Sequence, residues 1–480
     1  MTFEKKKLKV TDKCTGEVIA ELDIDSIEDL RKKIRKVCDE QKNISNKSFE
    51  ERIEFFRTLG RLVRRRSREI LEILAREGGI PLKYGRIVLR TVTQAMLVID
   101  YYADLIREKD VESFKGRGKV IYEPVGVVGG ITPRNAPLFL TSYVMGTSLI
   151  SGNSVILKPS TKTPLVALKL RELVKEVDDS IPVEIGILDG ITAAKEFISN
   201  PLIDAVVLYG STTTGKDLLI QFGKYLESTK TSFYGATFIQ GKLKKIVLEM
   251  AGNDAGIVMS DVDVEDAAKK IVRGAFTNAG QQCISFKRII VHEDVSKEFI
   301  EVLKDEVSKL VVGNPLDDKT DIGPIGSPTA LNIIDFMVKD AEKRGGEKII
   351  EGKREDPFFT PTLIKFDKSL ILGKKEEEKP FLWREEAFGP VRSIVEFSTV
   401  EEAIRLANDC KYGLRAGVYS GDMNVAMEVA KRLEVSSVII NEDPQYFDVS
   451  MMFGGIKDSG IGGAEYMVLH LTNKKYVHIA

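Results

Sequence analysis

Residues 154–177 read SVILKPSTKTPLVALKLRELVKEV. The first part is a short apolar run with the length of a buried strand, and from Leu165 onward the apolar residues return at helical spacing. The same alternation spreads outward in both directions. Upstream stands IYEPVGVVGGI (121–131), and downstream stand AVVLYGS (205–211) and KIVLEMAG (245–252), with helical segments between them. Strand alternating with helix predicts an α/β layered sheet. The second half keeps the rhythm. DVEDAAKKIVRGAF (263–276) opens on an aspartate placed to cap a helix, FKRIIVH (286–292) reads as a strand and SKEFIEVLKDEVSKLVV (296–312) as a helix; EEAIRLANDC, AGVYS, NVAMEVAKRL and SVIIN follow. Two α/β domains are expected. Ahead of them, FEERIEFFRTLGRLVRRRSREILEILARE (49–77) predicts one long amphipathic helix ending at Gly78-Gly79-Ile80-Pro81, and REKDVESFKGRGK (107–119) reads as a charged linker.

Composition narrows the function. The chain has 480 residues, 43% of them hydrophobic, enough for a large core and two or three domains. Its 71 lysines and arginines nearly balance 72 aspartates and glutamates, so no global field would hold nucleic acid or an anionic membrane. The opening MTFEKKKLKV is charged, and no apolar run approaches the ~18 residues of a membrane span. A cytoplasmic enzyme acting on a small molecule is the expectation.

One thiol stands out, in TNAGQQCISF (277–286). The cysteines are Cys14, Cys38, Cys283 and Cys410, none in CxxC spacing, which gives no support to a zinc site or a disulfide framework. A lone cysteine is most often a small core residue. Asn278, Gly280, Gln281 and Gln282, however, suit a polar pocket better than a core. A papain-like pair would need an imidazole, and His292, His470 and His478 all lie downstream, the first in an apparent strand and the others near the C-terminus. A carboxylate base is favoured instead. Glu249 follows the apolar run IVL and would sit at a strand end, where ligands gather in α/β sheets; the other reading is a capping or surface carboxylate. LYGSTTTGKD (208–217) approaches a Walker A loop, but Asp217 stands where a hydroxyl should hold magnesium, and its charge would repel phosphate. What remains is a strand, a glycine turn and a helix from about Thr212, either an ordinary turn or a set of free N–H groups suited to a pyrophosphate.

TPRNAPL, ILKPSTKTPL, LYGSTTTG, LEMAGND, NAGQQC and EEAFGPV occur in this order along the chain. Their order and spacing resemble those of the aldehyde dehydrogenase superfamily over nearly the whole length. The resemblance implies Cys283 as nucleophile, Glu249 as general base and Asn135 as the side-chain donor of the oxyanion hole. It also implies Lys158, with Ser160 and Thr161, at the adenosine ribose, Gly210 and Ser211 at the pyrophosphate, and Glu386 and Phe388 at the nicotinamide ribose. The aldehyde tunnel would fall on Ala136, Leu140, Tyr143, Ile284, Phe447 and Phe453, with the alternative that some merely pack the core. No metal is implied. The implied fold is a Rossmann-type dinucleotide-binding domain (1–105 and 123–249), an α/β catalytic domain (250–458) and a small β arm (106–122 and 459–480). In the family the arm bridges subunits, so a homodimer or homotetramer is expected; the alternative for the tail NKKYVHIA is an edge strand within one chain.

The chemistry accounts for these residue types. A free thiol, pKa ~8.5, is only a few per cent thiolate at neutral pH, so a base or a shifted pKa is needed. Its attack on an aldehyde leaves an oxyanion, and one donor such as Asn135 is typically worth ~10²–10³ in rate. After hydride loss to NAD(P)⁺ a thioester remains, whose hydrolysis a positioned carboxylate accelerates by roughly 10²–10⁴. Thr161 stands where NAD-specific relatives carry a glutamate, so NADP is expected to be preferred over NAD. Arg134, Val144, Ala251 and Gly463 depart from the common pattern. An inactive structural member of the superfamily is the non-enzyme alternative. Non-phosphorylating glyceraldehyde-3-phosphate dehydrogenases are another, but Gln282 and Tyr446 stand where their phosphate-binding arginines would be. Uncharged aldehydes or short semialdehydes are therefore the expected substrates.

Overall fold

In a computed structural model, residues 6–113, 116–233, 236–447, 450, 453–462 and 465–479 are described; Gly463 lies outside them. Two large sheets organise the chain. The first has six strands in the order Gly460–Ile461, Lys245–Glu249, Ala205–Tyr209, Val127–Thr132, Ser154–Pro159 and Val183–Ile185. All are parallel except Gly460–Ile461, which runs antiparallel to Lys245–Glu249. The chain builds outward from Val127–Thr132 to Val183–Ile185, then returns to lay Ala205–Tyr209 on the other side. This reversal leaves a crevice at the carboxyl ends of the two central strands, where α/β sheets bind ligands.

The second sheet has seven strands: Glu347–Ile350, Thr362–Phe366, Val391–Phe397, Phe286–His292, Asp254–Val258, Arg415–Tyr419 and Ser437–Ile440. Its central strands are buried on both faces, as parallel strands under helices must be. A third sheet pairs Lys109–Ser113 with Gly116–Pro124, and that strand with Thr472–Ile479.

Three details depart from the sequence expectations. The long helix is two, Phe49–Arg65 and Ser67–Gly78, parted at Arg66 (ψ 15°). No glycine or proline marks the break; it lets Ile70 and Leu74 turn onto the core independently of Phe56 and Leu59, a tertiary demand that periodicity does not record. Residues 107–119 are no linker but largely hairpin. The stretch IYEP ends that hairpin, and the chain turns at Gly126 (φ +129°), where a Cβ would lie 2.2 Å from Asp204 Oδ2. Finally, Gly460–Ile461 extends the six-stranded sheet and Met467–His470 forms a short helix, so among the described residues from 459 onward only Thr472–Ile479 pairs with the hairpin.

Candidate active site

The two sheets deliver their functional side chains to one crevice. Asn135 follows Val127–Thr132 and precedes the buried helix Pro137–Ile150. Glu249 closes Lys245–Glu249, and its backbone carbonyl accepts from Gly210 N–H at 3.0 Å, which ties the base to the glycine turn. Pro133, Arg134, Asn135, Gly210, Ser211, Glu249, Cys283, Glu386 and Phe388 line a single cleft.

The thiol is carried on a strained loop. Asn278, Ala279 and Gly280 all adopt left-handed backbone (φ +55°, +55° and +66°), which for a non-glycine residue costs roughly 1–2 kcal/mol. Buried cations hold the loop in this shape. Arg392 donates to Ala275 O (2.9 Å), Gly389 O (2.6 Å) and Ser285 Oγ (2.8 Å), while Lys287 donates to Gln282 O (2.7 Å) and to Cys283 O. Gln281 braces the other side, accepting from Gly326 N–H and from Arg134 Nη1, both at 2.9 Å. Asn278 Nδ2 donates to Asn135 O at 3.1 Å and joins the thiol loop to the first sheet.

Electrostatics follow from burial. The Cys283 thiol and the Glu249 carboxyl line the same cleft, and burial, then the Glu249 charge, push the thiol pKa well up. Burial pushes Glu249 up to about 8; the neighbouring thiol opposes this, and Glu386 and Asp254 add to it. Burial likewise raises Asp254 to about 7 and raises Glu386. Glu249 Oε1 is buried with no hydrogen-bond partner among the described residues, an open acceptor aimed into the site. A neutral thiol beside a largely neutral carboxyl is a resting pair in which one proton must leave before either group can work.

Of the residues expected at a dinucleotide, Gly210, Ser211, Glu386 and Phe388 line the same cleft as the thiol. Ser211 caps the helix Thr212–Ser228 through Thr214 N–H (3.2 Å), leaving first-turn N–H groups facing out beside Gly210. Glu386 Oε1 accepts from Gly252 N–H at 3.1 Å, and Phe388 lies beneath the Arg134 guanidinium at 5.6 Å. Lys158, Ser160 and Thr161 sit further along, at the end of Ser154–Pro159 and in the turn beyond it. Lys158 is buried, faces Asp189 electrostatically, and has no hydrogen bond or ion pair among the described residues. The buried Glu77 accepts from Leu165 and Val166 N–H (2.8 and 2.9 Å) and anchors the helix after that turn. A helix N-terminus, an unpartnered lysine and a carboxylate fit a pyrophosphate flanked by two riboses.

Beyond the thiol opens a second cleft. Ala136, Leu140, Ile284, Phe447 and Phe453 line it with Cys283 and Gln282. Tyr143 does not: it stacks behind Phe139 (6.1 Å) and faces a separate cavity with Phe56 and Met96. Tyr143 shares the helix face of residues 139 and 140 but lies a full turn farther from the helix N-terminus, so its ring reaches the neighbouring cavity, which Phe139 also lines. Sequence reasoning missed Tyr84, Phe139 and Gln445 on the cleft wall, which arrive from separate elements with no motif of their own. It also missed Lys287 and Arg392, although cations inside the apolar strands FKRIIVH and VRSIVEF were a visible signal. Tyr446 lies at an outer mouth with Arg90 and Asp443. Of the departures from pattern, Arg134 is held by Gln281 and Phe388, and Val144 is core, packed where a Cβ on Gly130 would strike it at 2.9 Å. Ala251 O accepts from Ser459 Oγ at 2.6 Å.

Comparison with known proteins agrees with this arrangement. The aldehyde dehydrogenase family profile matches residues 1–477. A lactaldehyde dehydrogenase of Methanococcus maripaludis strain C5 is 36% identical over 408 residues, covering 84% of this chain and 82% of the relative. A 3-sulfolactaldehyde dehydrogenase of Priestia aryabhattai is 32% identical over 482 residues, covering 98% and 94%. Among solved structures, glyceraldehyde-3-phosphate dehydrogenase GapN from Methanocaldococcus jannaschii, complexed with NADP, superposes with a TM-score of 0.88 at 28% identity, covering 99% of both chains. No helix among the described residues is long and apolar enough to cross a membrane. The chain belongs to the aldehyde dehydrogenase family, an oxidoreductase that binds a nicotinamide dinucleotide and acts on aldehydes.

Proposed function

We propose that this enzyme oxidises a short aldehyde to its carboxylic acid through a covalent intermediate on Cys283. The observation that carries the reading is the meeting of three side chains from three separate elements: Cys283, Glu249 and Asn135 line one cleft. The thiol releases its proton to solvent as sulfur bonds to the carbonyl carbon, and the Asn135 amide with the Cys283 N–H stabilises the oxyanion. The bound nicotinamide dinucleotide supplies the hydride acceptor. Glu249 then takes a proton from water, whose oxygen adds to the acyl carbon; the C–S bond breaks, and acid and free thiol result. Lys158, Ser160 and Thr161 would hold the adenosine ribose, Gly210 and Ser211 the pyrophosphate, and Glu386 and Phe388 the nicotinamide ribose. NADP is preferred over NAD because Thr161 places no carboxylate at the 2′-phosphate.

The substrate is a short, uncharged aldehyde or semialdehyde. Apolar and aromatic side chains dominate the cleft next to the thiol, with Tyr84, Thr91, Asn135, Gln282 and Gln445 as its other polar residues. The names of the relatives, lactaldehyde and 3-sulfolactaldehyde dehydrogenases, also favour a short hydroxyaldehyde. Within the chain, residues 1–105 and 123–249 serve the dinucleotide and 250–458 the thiol chemistry. The exposed outer edge of Thr472–Ile479 serves a subunit contact in a homodimer or homotetramer. A cytoplasmic location fits the composition. The test is a panel of aldehydes with wild type and Cys283→Ala: lactaldehyde should exceed glyceraldehyde 3-phosphate in kcat/KM, and the variant should lose turnover while still binding cofactor. Substantial activity in Cys283→Ala would refute the mechanism, and a large preference for the phosphorylated aldehyde would refute the pocket reading.

A further inference from the structure

Lys287 is fully buried in the middle of the second sheet, an expensive place for an ammonium group. Two of its donors are engaged by the thiol loop, and its charge is paired with Glu386. Nζ donates to Gln282 O at 2.7 Å and to Cys283 O, and stands 3.6 Å from Glu386 Oε1. Glu386 is itself fixed by Gly252 N–H on the opposite side of the cleft. One side chain thus connects the backbone of the thiol residue to the carboxylate that faces the cofactor groove.

The groups around it make the charge matter. Glu249 faces the thiol from the strand Lys245–Glu249, Asp254 from the strand beside it, and Glu386 from the loop before Val391–Phe397, all buried. Tyr84 and Tyr209 face the thiol from the first sheet's side, both with pKa raised by burial. On the cationic side, Arg392 reaches Glu386 but spends its hydrogen bonds on the loop carbonyls. Arg415 faces Asp254 and the thiol, with donors turned to Ser437 Oγ and Pro444 O. Lys287 alone lies against Cys283, Glu249, Asp254 and Glu386 together.

We propose that Lys287 is a positioning residue that clamps the Cys283 loop to Glu386 and supplies the buried positive charge against which the thiol gives up its proton. The proposal rests on Cys283 being the nucleophile. Its test reads the thiol directly, without aldehyde or cofactor, so that the two can fail separately: alkylation of Cys283 by iodoacetamide is followed by peptide mass spectrometry across pH. In Lys287→Met the alkylation rate at pH 7.5 should fall about tenfold, the factor for one unit of thiol pKa, with the inflection displaced to higher pH. Lys287→Arg, which keeps the charge, should recover most of the rate, and KM for the cofactor should rise severalfold in Lys287→Met as Glu386 loses its partner. If Lys287→Met does not fold, as judged by circular dichroism, Lys287→Gln keeps a donor for the carbonyls without the charge and carries the same expectation. A wild-type alkylation profile in a folded neutral variant would overturn the proposal, as would an arginine variant no faster than the neutral one.

Discussion

Replacing Glu249 by glutamine should separate the two halves of the reaction. The carboxyl titrates near 8 instead of 4.5, so ionising it in place costs roughly 5 kcal/mol more than in water, most of it from burial. The sign follows directly: below pH 8 the group mainly holds its proton and cannot accept one from water, and above pH 8 it can. At pH 7 about one carboxyl in ten is ionised, at pH 9 about nine in ten, so thioester hydrolysis in the wild type should rise roughly tenfold across that range. Glutamine neither titrates nor accepts a proton. Steady turnover in Glu249→Gln should therefore fall by ~10²–10⁴ at the alkaline plateau, by about tenfold less at pH 7, and should not rise with pH in this way. The first turnover behaves differently. Loss of the Glu249 charge removes one of the groups that raise the thiol pKa, so hydride transfer survives and reduced cofactor appears as a burst of about one equivalent per site. Stopped-flow absorbance of the reduced nicotinamide from pH 6.5 to 9.5 checks all three statements. Equal loss of burst and steady rate would place Glu249 in acylation, and a wild-type steady rate flat between pH 7 and 9 would refute the raised pKa as the controlling group.

Two further variants probe other parts of the crevice. Thr161→Glu should shift the ratio of kcat/KM for NADP over NAD toward NAD by at least about tenfold. A carboxylate ~4 Å from the 2′-phosphate costs on the order of 4 kcal/mol at an effective dielectric of 20, and solvent at this half-buried position screens part of it; an unchanged ratio would place the 2′ site elsewhere. Gly280→Ala should lower both the melting temperature and turnover, because φ is +66° and the new Cβ would lie 1.9 Å from Arg392 Nη2 and 2.5 Å from Gly389 O. A variant with wild-type stability and rate would show that the loop tolerates another shape.

Much of this molecule is written locally. The alternation around SVILKPSTKTPLVALKLRELVKEV specifies parallel strands and covering helices, because period and length act within one element at a time. The strand Phe286–His292 and the capping role of Asp263 match their sequence readings for that reason. Cys283, Glu249 and Asn135 stood out because each sits in a short motif with its own order along the chain, and the fold brings the three to one cleft. What the sequence could not supply was anything that depends on two distant elements meeting. The break at Arg66 answers to packing, the tail's partner is a strand some 350 residues earlier, and Tyr143 falls one helical turn beyond the thiol cleft. The charges were the least legible part. Lys287 and Arg392 look like anomalies in apolar strands until the fold places carbonyls and carboxylates around them, and Glu249 is an ordinary acid until burial beside Glu386 and Asp254 raises it. A pKa and a hydrogen-bond partner belong to a residue's surroundings in space, and only the tertiary structure assembles those surroundings.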